Sequence, residues 1–248
     1  MTPSIHLPLV ETFTKPYEAW RTRPPTKEEM MVNRSPTHIK EELIARISDS
    51  RTAAVYMADV RVDNALRSHV QNALEESPEY RAWQNAMPSK TPAAISLYQK
   101  DIKNSCMDAV SEEIQHYGSH LALGQCLFHG GFWAGGRYQV TSRPLSTSLC
   151  PQVALRNAEF NAKAYDAGRL DLIVLRISSP APQGFVFKRK GTKLGHESEV
   201  LLPSGVRLKL VAETLVRSDY PAAKYGHNEK AIPVYVLDVE ASREDCGQ

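Results

Sequence analysis

Near residue 125 the spacing of apolar residues changes, and that change restricts the possible folds more than any other feature of the chain. Upstream, apolar side chains recur every three, four or seven residues, the period of amphipathic helices. Downstream they gather in short runs or alternate every second residue, the pattern of strands. Helices followed by strands predict an α+β fold rather than the alternating units of a doubly wound parallel sheet. The chain has 248 residues, enough to bury ~70% of its unfolded surface, so it needs neither metal nor disulfide to fold. No stretch approaches the ~20 consecutive apolar residues of a membrane-spanning helix.

Within this frame the chain divides into a leader, one domain and a tail. Residues 1–34 carry Pro3, Pro8, Pro16, Pro24 and Pro25 and no apolar period, which predicts an irregular or disordered leader. A frayed terminus explains it most simply; a tether or an export signal is the alternative. Residues 35–118 form the predicted helical part of a single domain spanning 35–240. Ser35 before Pro36 reads as a helix start, followed by a stripe of Ile39, Leu43, Ile44 and Ile47. Val55, Val62, Leu66, Val70 and Leu74 continue at intervals of seven or four. Ser77-Pro78 opens a short helix through Trp83. Thr91-Pro92 opens a longer one bearing Ile95, Tyr98, Ile102, Cys106, Ala109, Val110 and Ile114, stopped at Gly118. The β-rich part, 119–240, contains the runs QCLFHGGFW, LDLIVLRIS, GFVFKRKG, EVLLP, VRLKLVAETLV and IPVYVLDV. One helix interrupts it after Ser148, with Pro151 near its start and Gly168 as its stop. Residues 241–248 are a tail.

Charge and cysteine content exclude several function classes. Thirty Lys and Arg against 28 Asp and Glu leave a net charge of +2, with no general attraction to nucleic acid or membrane. Cys106, Cys126, Cys150 and Cys246 never fall at C-x-x-C spacing, so no zinc site is signalled and four reduced thiols are expected. No metal is expected from any His/Cys cluster. The opening MTPSIHLPLVETFTKP lacks the basic start and apolar run of a cleavable secretory signal. The expectation is a protein that works where it is made or is exported without such a signal.

Three short segments stand out: Phe128-His129-Gly130-Gly131 at a strand end, Ser146-Thr147-Ser148 before a helix, and Glu197-Ser198-Glu199 opening a strand. Singly, they read as a turn, a helix cap and a solvated edge. In an extended strand, however, residues i and i+2 point to one side. Glu197 and Glu199 then present two carboxylates to one volume, roughly 6–7 Å apart. Like charges so close call for a bound cation or a chemical reason. Cleavage of an N-glycosidic bond to a pyridinium supplies one, because it passes through an oxocarbenium-like species, as glycoside hydrolysis does. One carboxylate holds the ribose hydroxyl and offsets the positive charge, and the second orients or deprotonates the nucleophile.

In this order the segments resemble the catalytic core of mono-ADP-ribosyltransferases of the cholera-toxin-like, or Arg–Ser–Glu, clade. That clade's motifs are an aromatic-Arg-Gly strand, a Ser-Thr-Ser strand end and a Glu-x-Glu strand leading into a Val-Leu-Leu-Pro-like run. Tyr56, followed by Asn64, Leu66 and Arg67, resembles a fourth motif of the same family. The resemblance covers roughly residues 36–240, with 78–115 longer than the family's minimal core. It implies an ADP-ribosyltransferase-like split β core, two mainly antiparallel sheets, with an N-terminal helical half. It also implies NAD as co-substrate in the crevice between the sheets. Glu199 would be the catalytic glutamate on the nicotinamide ribose, Glu197 the acceptor-activating carboxylate and Ser146 the brace for Glu199. Thr147 and Ser148 would support the strand end, and Gly130 would let the backbone approach the nicotinamide carboxamide. The 184–196 loop, with Phe185 and Phe187, corresponds to the family's target-recognition turn; a buried strand face is the alternative reading of the two rings.

One position departs from the pattern. His129 stands where the clade has arginine, and resembles the diphtheria-toxin-like clade there. A histidine lacks the bidentate fork of a guanidinium, so Arg137 or Arg143 is a candidate to replace it. Beside the proposed turn, Lys188, Arg189, Lys190 and Lys193 form a short basic run, read as a solvated loop or as a contact to an acidic partner face. The resemblance implies transfer of ADP-ribose to a protein of a host or competitor cell. The acceptor is arginine by the Glu-x-Glu analogy, with threonine or serine open. It further implies a toxin or effector that acts in the target-cell cytoplasm, cytoplasmic at its source if not exported. An NAD glycohydrolase and a catalytically silent interaction protein are the alternatives. No membrane is expected as a partner, and no nucleic acid.

Overall fold

The computed structural model describes residues 6–32, 38–188 and 198–243. Strands β1 (Tyr17–Arg23) and β2 (Ile39–Ile47) flank helix α1 (Lys27–Val32). Five helices follow: α2 (Ser50–Val60), α3 (Asn64–Glu76), α4 (Pro78–Ala86), α5 (Ala93–Lys100) and α6 (Met107–Tyr117). Then come β3 (Ser119–His120), β4 (Cys126–Gly131), β5 (Tyr138–Val140), β6 (Leu145–Ser148), α7 (Pro151–Glu159) and α8 (Lys163–Ala167). β7 (Leu170–Ile177), β8 (Gln183–Val186), β9 (Glu199–Leu202), β10 (Val206–Ala222) and β11 (Lys230–Arg243) complete the chain. No described helix is long and apolar enough to cross a membrane.

Strands β3 to β11 form one sheet in the order β3-β8-β9-β6-β4-β7-β11-β10-β5. Its middle is pinched. β4 and β6 pair only where Phe128 faces Ser148, whereas β4 and β7 pair at six positions. The sheet is therefore two blocks, β3-β8-β9-β6 and β4-β7-β11-β10-β5, joined at one residue pair. This is the expected split β core, antiparallel except for β7 beside β11. β7 is buried on both faces at every position but Arg176, which is why LDLIVLRI reads as a continuous apolar run.

Three helical expectations are corrected. Ile39, Leu43, Ile44 and Ile47 lie on strand β2, paired antiparallel with β1. Intervals of four fit a strand's period of two as well as a helix's 3.6, and only Ile47 of the four is buried. The helix expected from residue 91 to 118 breaks at Asp101, whose carboxylate caps a short 3-10 turn at Ile102–Asn104. The helix from Pro151 is interrupted at Asn161 and Ala162, both left-handed, before Gly168 stops α8 as expected.

The leader reading is corrected as well. Residues 17–23 are a strand, and 6–16 form a strap against the core with Leu7, Val10 and Phe13 buried. An extended, proline-bearing strap forms few ladder bonds, so side chains bind its backbone instead. The buried Gln125 amide accepts from Val10 N at 2.8 Å and donates to Val10 O at 3.0 Å. Trp83 Nε1 donates to Pro8 O at 2.7 Å.

Candidate active site

The pinch between the sheet blocks positions the site. Beyond Phe128 and Ser148 the two strands diverge, and β4 and β6 pair at no other described position. His129 reaches across instead: its Nδ1 lies 2.8 Å from Ser146 O. A carbonyl only accepts, so Nδ1 carries the proton and Nε2 presents a lone pair. Burial lowers the His129 pKa, and the charges of Lys163 and Arg143 push the same way against the Ser146 carbonyl. Burial thus favours the neutral imidazole.

The Ser146 hydroxyl donates to Glu199 Oε1 at 2.5 Å, across the β6–β9 ladder. Glu199 Oε2 accepts from Gln99 Nε2 on α5 at 3.3 Å. The glutamate is 7% exposed, and the residue before it, Ser198, is left-handed with φ 49°. That turn of the backbone, fixed by Leu149 N donating to Ser198 O at 3.2 Å, starts β9 with Glu199 facing β6. Tyr98, one residue before Gln99, is buried. Burial and the Glu199 charge raise its pKa, and Arg143 opposes. The other hydroxyls of β6 turn inward. Thr147 Oγ1 donates to Val200 O at 2.6 Å, and Ser148 Oγ accepts from Cys150 N at 3.0 Å, tying β6 to the start of α7.

A second network backs the site. Asp63 caps α3 through Ala65 N and Leu66 N, and its other oxygen accepts from Tyr17 Oη and Tyr56 Oη, each at 2.8 Å. Burial and that carboxylate raise both tyrosine pKa values. Asp63 N donates to Gln152 Oε1 on α7 at 3.0 Å, so the start of α3 is locked to the helix that follows Ser148. One turn further along α3, the buried Arg67 Nε has no hydrogen-bond partner among the described residues. Burial raises the Cys150 thiol pKa, and the α7 N–H groups and Arg67 oppose the rise. A buried donor without a partner is rare in folded proteins.

The structure thus brings Glu199, Ser146 and His129 together, with Thr147 and Ser148 behind them. Glu197 lies outside the described residues, as do Arg189, Lys190 and Lys193. Packing bears on two readings. A Cβ on Gly130 would sit 1.8 Å from Ala154 O of α7, so helix packing by itself demands glycine there. Phe185 and Phe187 are buried and stacked edge to face, their centroids 5.2 Å apart, so they are core residues and not a recognition surface. Gln99 and Tyr98 were not legible as site residues: a glutamine carries no motif, and Tyr98 falls on an apolar helical stripe. Among the described residues no three His, Cys, Asp or Glu side chains converge as metal ligands.

No family model matches the chain, and neither does any curated protein. Solved structures do. Plx2a, an ADP-ribosyltransferase toxin from Paenibacillus larvae, superposes with a TM-score of 0.44 at 10% identity, covering 71% of this chain and 96% of that one. An ADP-ribosyltransferase from Clostridium botulinum gives 0.38 at 10% identity, covering 66% and 92%. The Vis toxin, an ADP-ribosyltransferase from Vibrio splendidus, gives 0.35 at 14% identity, covering 79% and 81%.

Proposed function

We propose that this chain is an NAD-dependent mono-ADP-ribosyltransferase that moves ADP-ribose from NAD to a side chain of a target protein. The observation that carries the reading is the buried Glu199 carboxylate, held at 2.5 Å by Ser146 where the two sheet blocks part. A buried carboxylate is costly, and one fixed on a hydroxyl at a strand seam is suited to stabilising a developing positive charge. Glu199 would bond the nicotinamide ribose and offset the oxocarbenium charge as nicotinamide leaves. Ser146 would hold that carboxylate, and Glu197 would activate the acceptor. Thr147 and Ser148 would fix the strand end, and the backbone of Gly130 would meet the carboxamide.

His129 cannot provide a guanidinium fork, and its Nδ1 is committed to Ser146. Arg67 fits that need: its buried Nε meets no acceptor among the described residues, and a diphosphate oxygen would supply one. Arg143, whose charge acts on both His129 and Tyr98, is the second candidate, ahead of Arg137. The acceptor is arginine by the Glu-x-Glu analogy, and the role is that of a toxin or effector acting in the cytoplasm of another cell.

The test is incubation of the full chain with labelled NAD and a eukaryotic or bacterial lysate, followed by mass spectrometry of labelled protein. Labelling of a discrete protein by the wild type, lost in Glu199→Ala, is the expected result. Free ADP-ribose without protein label would favour a glycohydrolase. No NAD binding by calorimetry would leave a silent scaffold.

A further inference from the structure

We infer that Gln99 is a positioning residue for Glu199, so that helix α5 forms part of the working site. This rests on the transferase reading above and extends it to a segment, residues 78–115, outside the motifs that carry that reading.

A glutamate that must present one oxygen to a ribose hydroxyl works only if its carboxylate plane is fixed. Ser146 fixes one oxygen at 2.5 Å. A second donor, on the other oxygen, restricts rotation about that bond. The Gln99 amide engages the other oxygen, Oε2, at 3.3 Å. Donors on both oxygens, one from β6 and one from α5, define the plane.

The rest of α5 is arranged to hold Gln99 there. Glu113 of α6 caps the helix, accepting from Ile95 N at 2.9 Å. α6 is in turn anchored to the turn after β9, where Ser111 Oγ accepts from Ser204 N at 3.1 Å and meets Ser204 Oγ at 2.9 Å. Ile95 and Tyr98 bury the inner face of α5. The helix therefore cannot slide along β9 without breaking these contacts, and Gln99 is delivered to the carboxylate by a rigid path. The bond is long and Gln99 is half-buried, so it orients the glutamate rather than sealing it. Among the described residues, the polar and charged groups around Glu199 include Ser146 on β6, Tyr98 on α5, Arg143 before β6, and His129 on β4 behind Ser146.

The test uses the full chain and follows nicotinamide release from NAD between about pH 3.5 and 9, a range that spans the ordinary glutamate pKa of ~4.3. Gln99→Met keeps the length and removes the donor. Gln99→Glu keeps the shape and replaces the donor with a second carboxylate. Gln99→Lys restores a donor. Gln99→Met is expected to lose about tenfold in kcat, the lower end for a bond donated to a charged acceptor, with the KM for NAD and the melting temperature little changed. Its acid limb moves to higher pH, because the ionised carboxylate has lost a donor. Gln99→Glu is expected to lose more and move the limb further, and Gln99→Lys to bring the limb back. A purely structural role for Gln99 would lower the melting temperature and leave the limb in place. Wild-type kcat and an unmoved limb in Gln99→Met overturn the inference while the transferase reading stands. A wild type that neither binds NAD nor releases nicotinamide overturns the transferase reading and this inference with it.

Discussion

Replacing Gly130 by alanine separates two accounts of why that position is glycine. If the backbone must approach a ligand, the substitution harms binding and spares the fold. The packing around α7 favours the opposite. The added Cβ would meet Ala154 O at 1.8 Å, Ala154 C at 2.6 Å and the Ala158 Cβ at 3.1 Å. An ordinary carbon–oxygen contact is ~3.3 Å, so α7 would have to withdraw by ~1.5 Å. Three attachments resist that. Cys150 N is bonded to Ser148 Oγ, Gln152 reaches both Asp63 N and Asn64 Oδ1, and Val153, Ala154, Leu155 and Ala158 are buried. Overpacking of this kind costs about 3 kcal/mol at the upper end of its usual range, and at ~2–4 °C per kcal/mol for a chain this size the melting temperature falls by about 6–12 °C. Thermal and urea unfolding measure the loss, with Gly131→Ala as control. There, among the described residues, the new Cβ meets only His129, Nε2 at 3.1 Å and Cδ2 at 3.6 Å, so stability should hold while the imidazole is pressed. A Gly130→Ala protein that melts with the wild type but has lost NAD binding would refute the packing argument.

Ser146→Ala removes the 2.5 Å bond to Glu199 and should cut nicotinamide release about 10–100-fold, the worth of a hydrogen bond to a charged group, with an unchanged melting curve. Gln125→Leu unties Val10, leaving its N–H without an acceptor. The expected loss is about 2–4 kcal/mol, with limited proteolysis opening first in residues 6–16. His129 has a lowered pKa in the folded chain, so the unfolded state binds the proton first, near its ordinary ~6.5. Stability should therefore fall as pH drops below that value, and melting curves of His129→Gln should lose that dependence.

What the sequence displays and what it hides follow from range. β7 and the switch of period near residue 125 were legible because they depend on neighbours in the chain. So was the start of α7, where Pro151 occupies the first helical turn. β2 was misread because its partner β1 lies beyond α1, in a segment whose prolines suggested no structure; pairing, not local propensity, makes both strands. The strap over residues 6–16 was hidden for the same reason, since Gln125 and Trp83 satisfy its backbone from more than seventy residues away. At the site, Glu199, Ser146 and His129 were named by motif. Gln99 was not, because nothing about a glutamine near the end of a helix announces the carboxylate it meets 100 residues later. The packing demand on Gly130 was hidden too, because it comes from Ala154 on a helix further along the chain.

The central claim is that Glu199 acts on the bond between nicotinamide and ribose. It is tested most directly by nicotinamide release from NAD with wild type and Glu199→Gln, which keeps the side chain's shape and removes its charge. Steady release by the wild type, reduced about 10²–10³-fold by Glu199→Gln as for other lost electrostatic stabilisers, with both proteins folded, is the expected result. Equal release by the two, or none by the folded wild type, would contradict it.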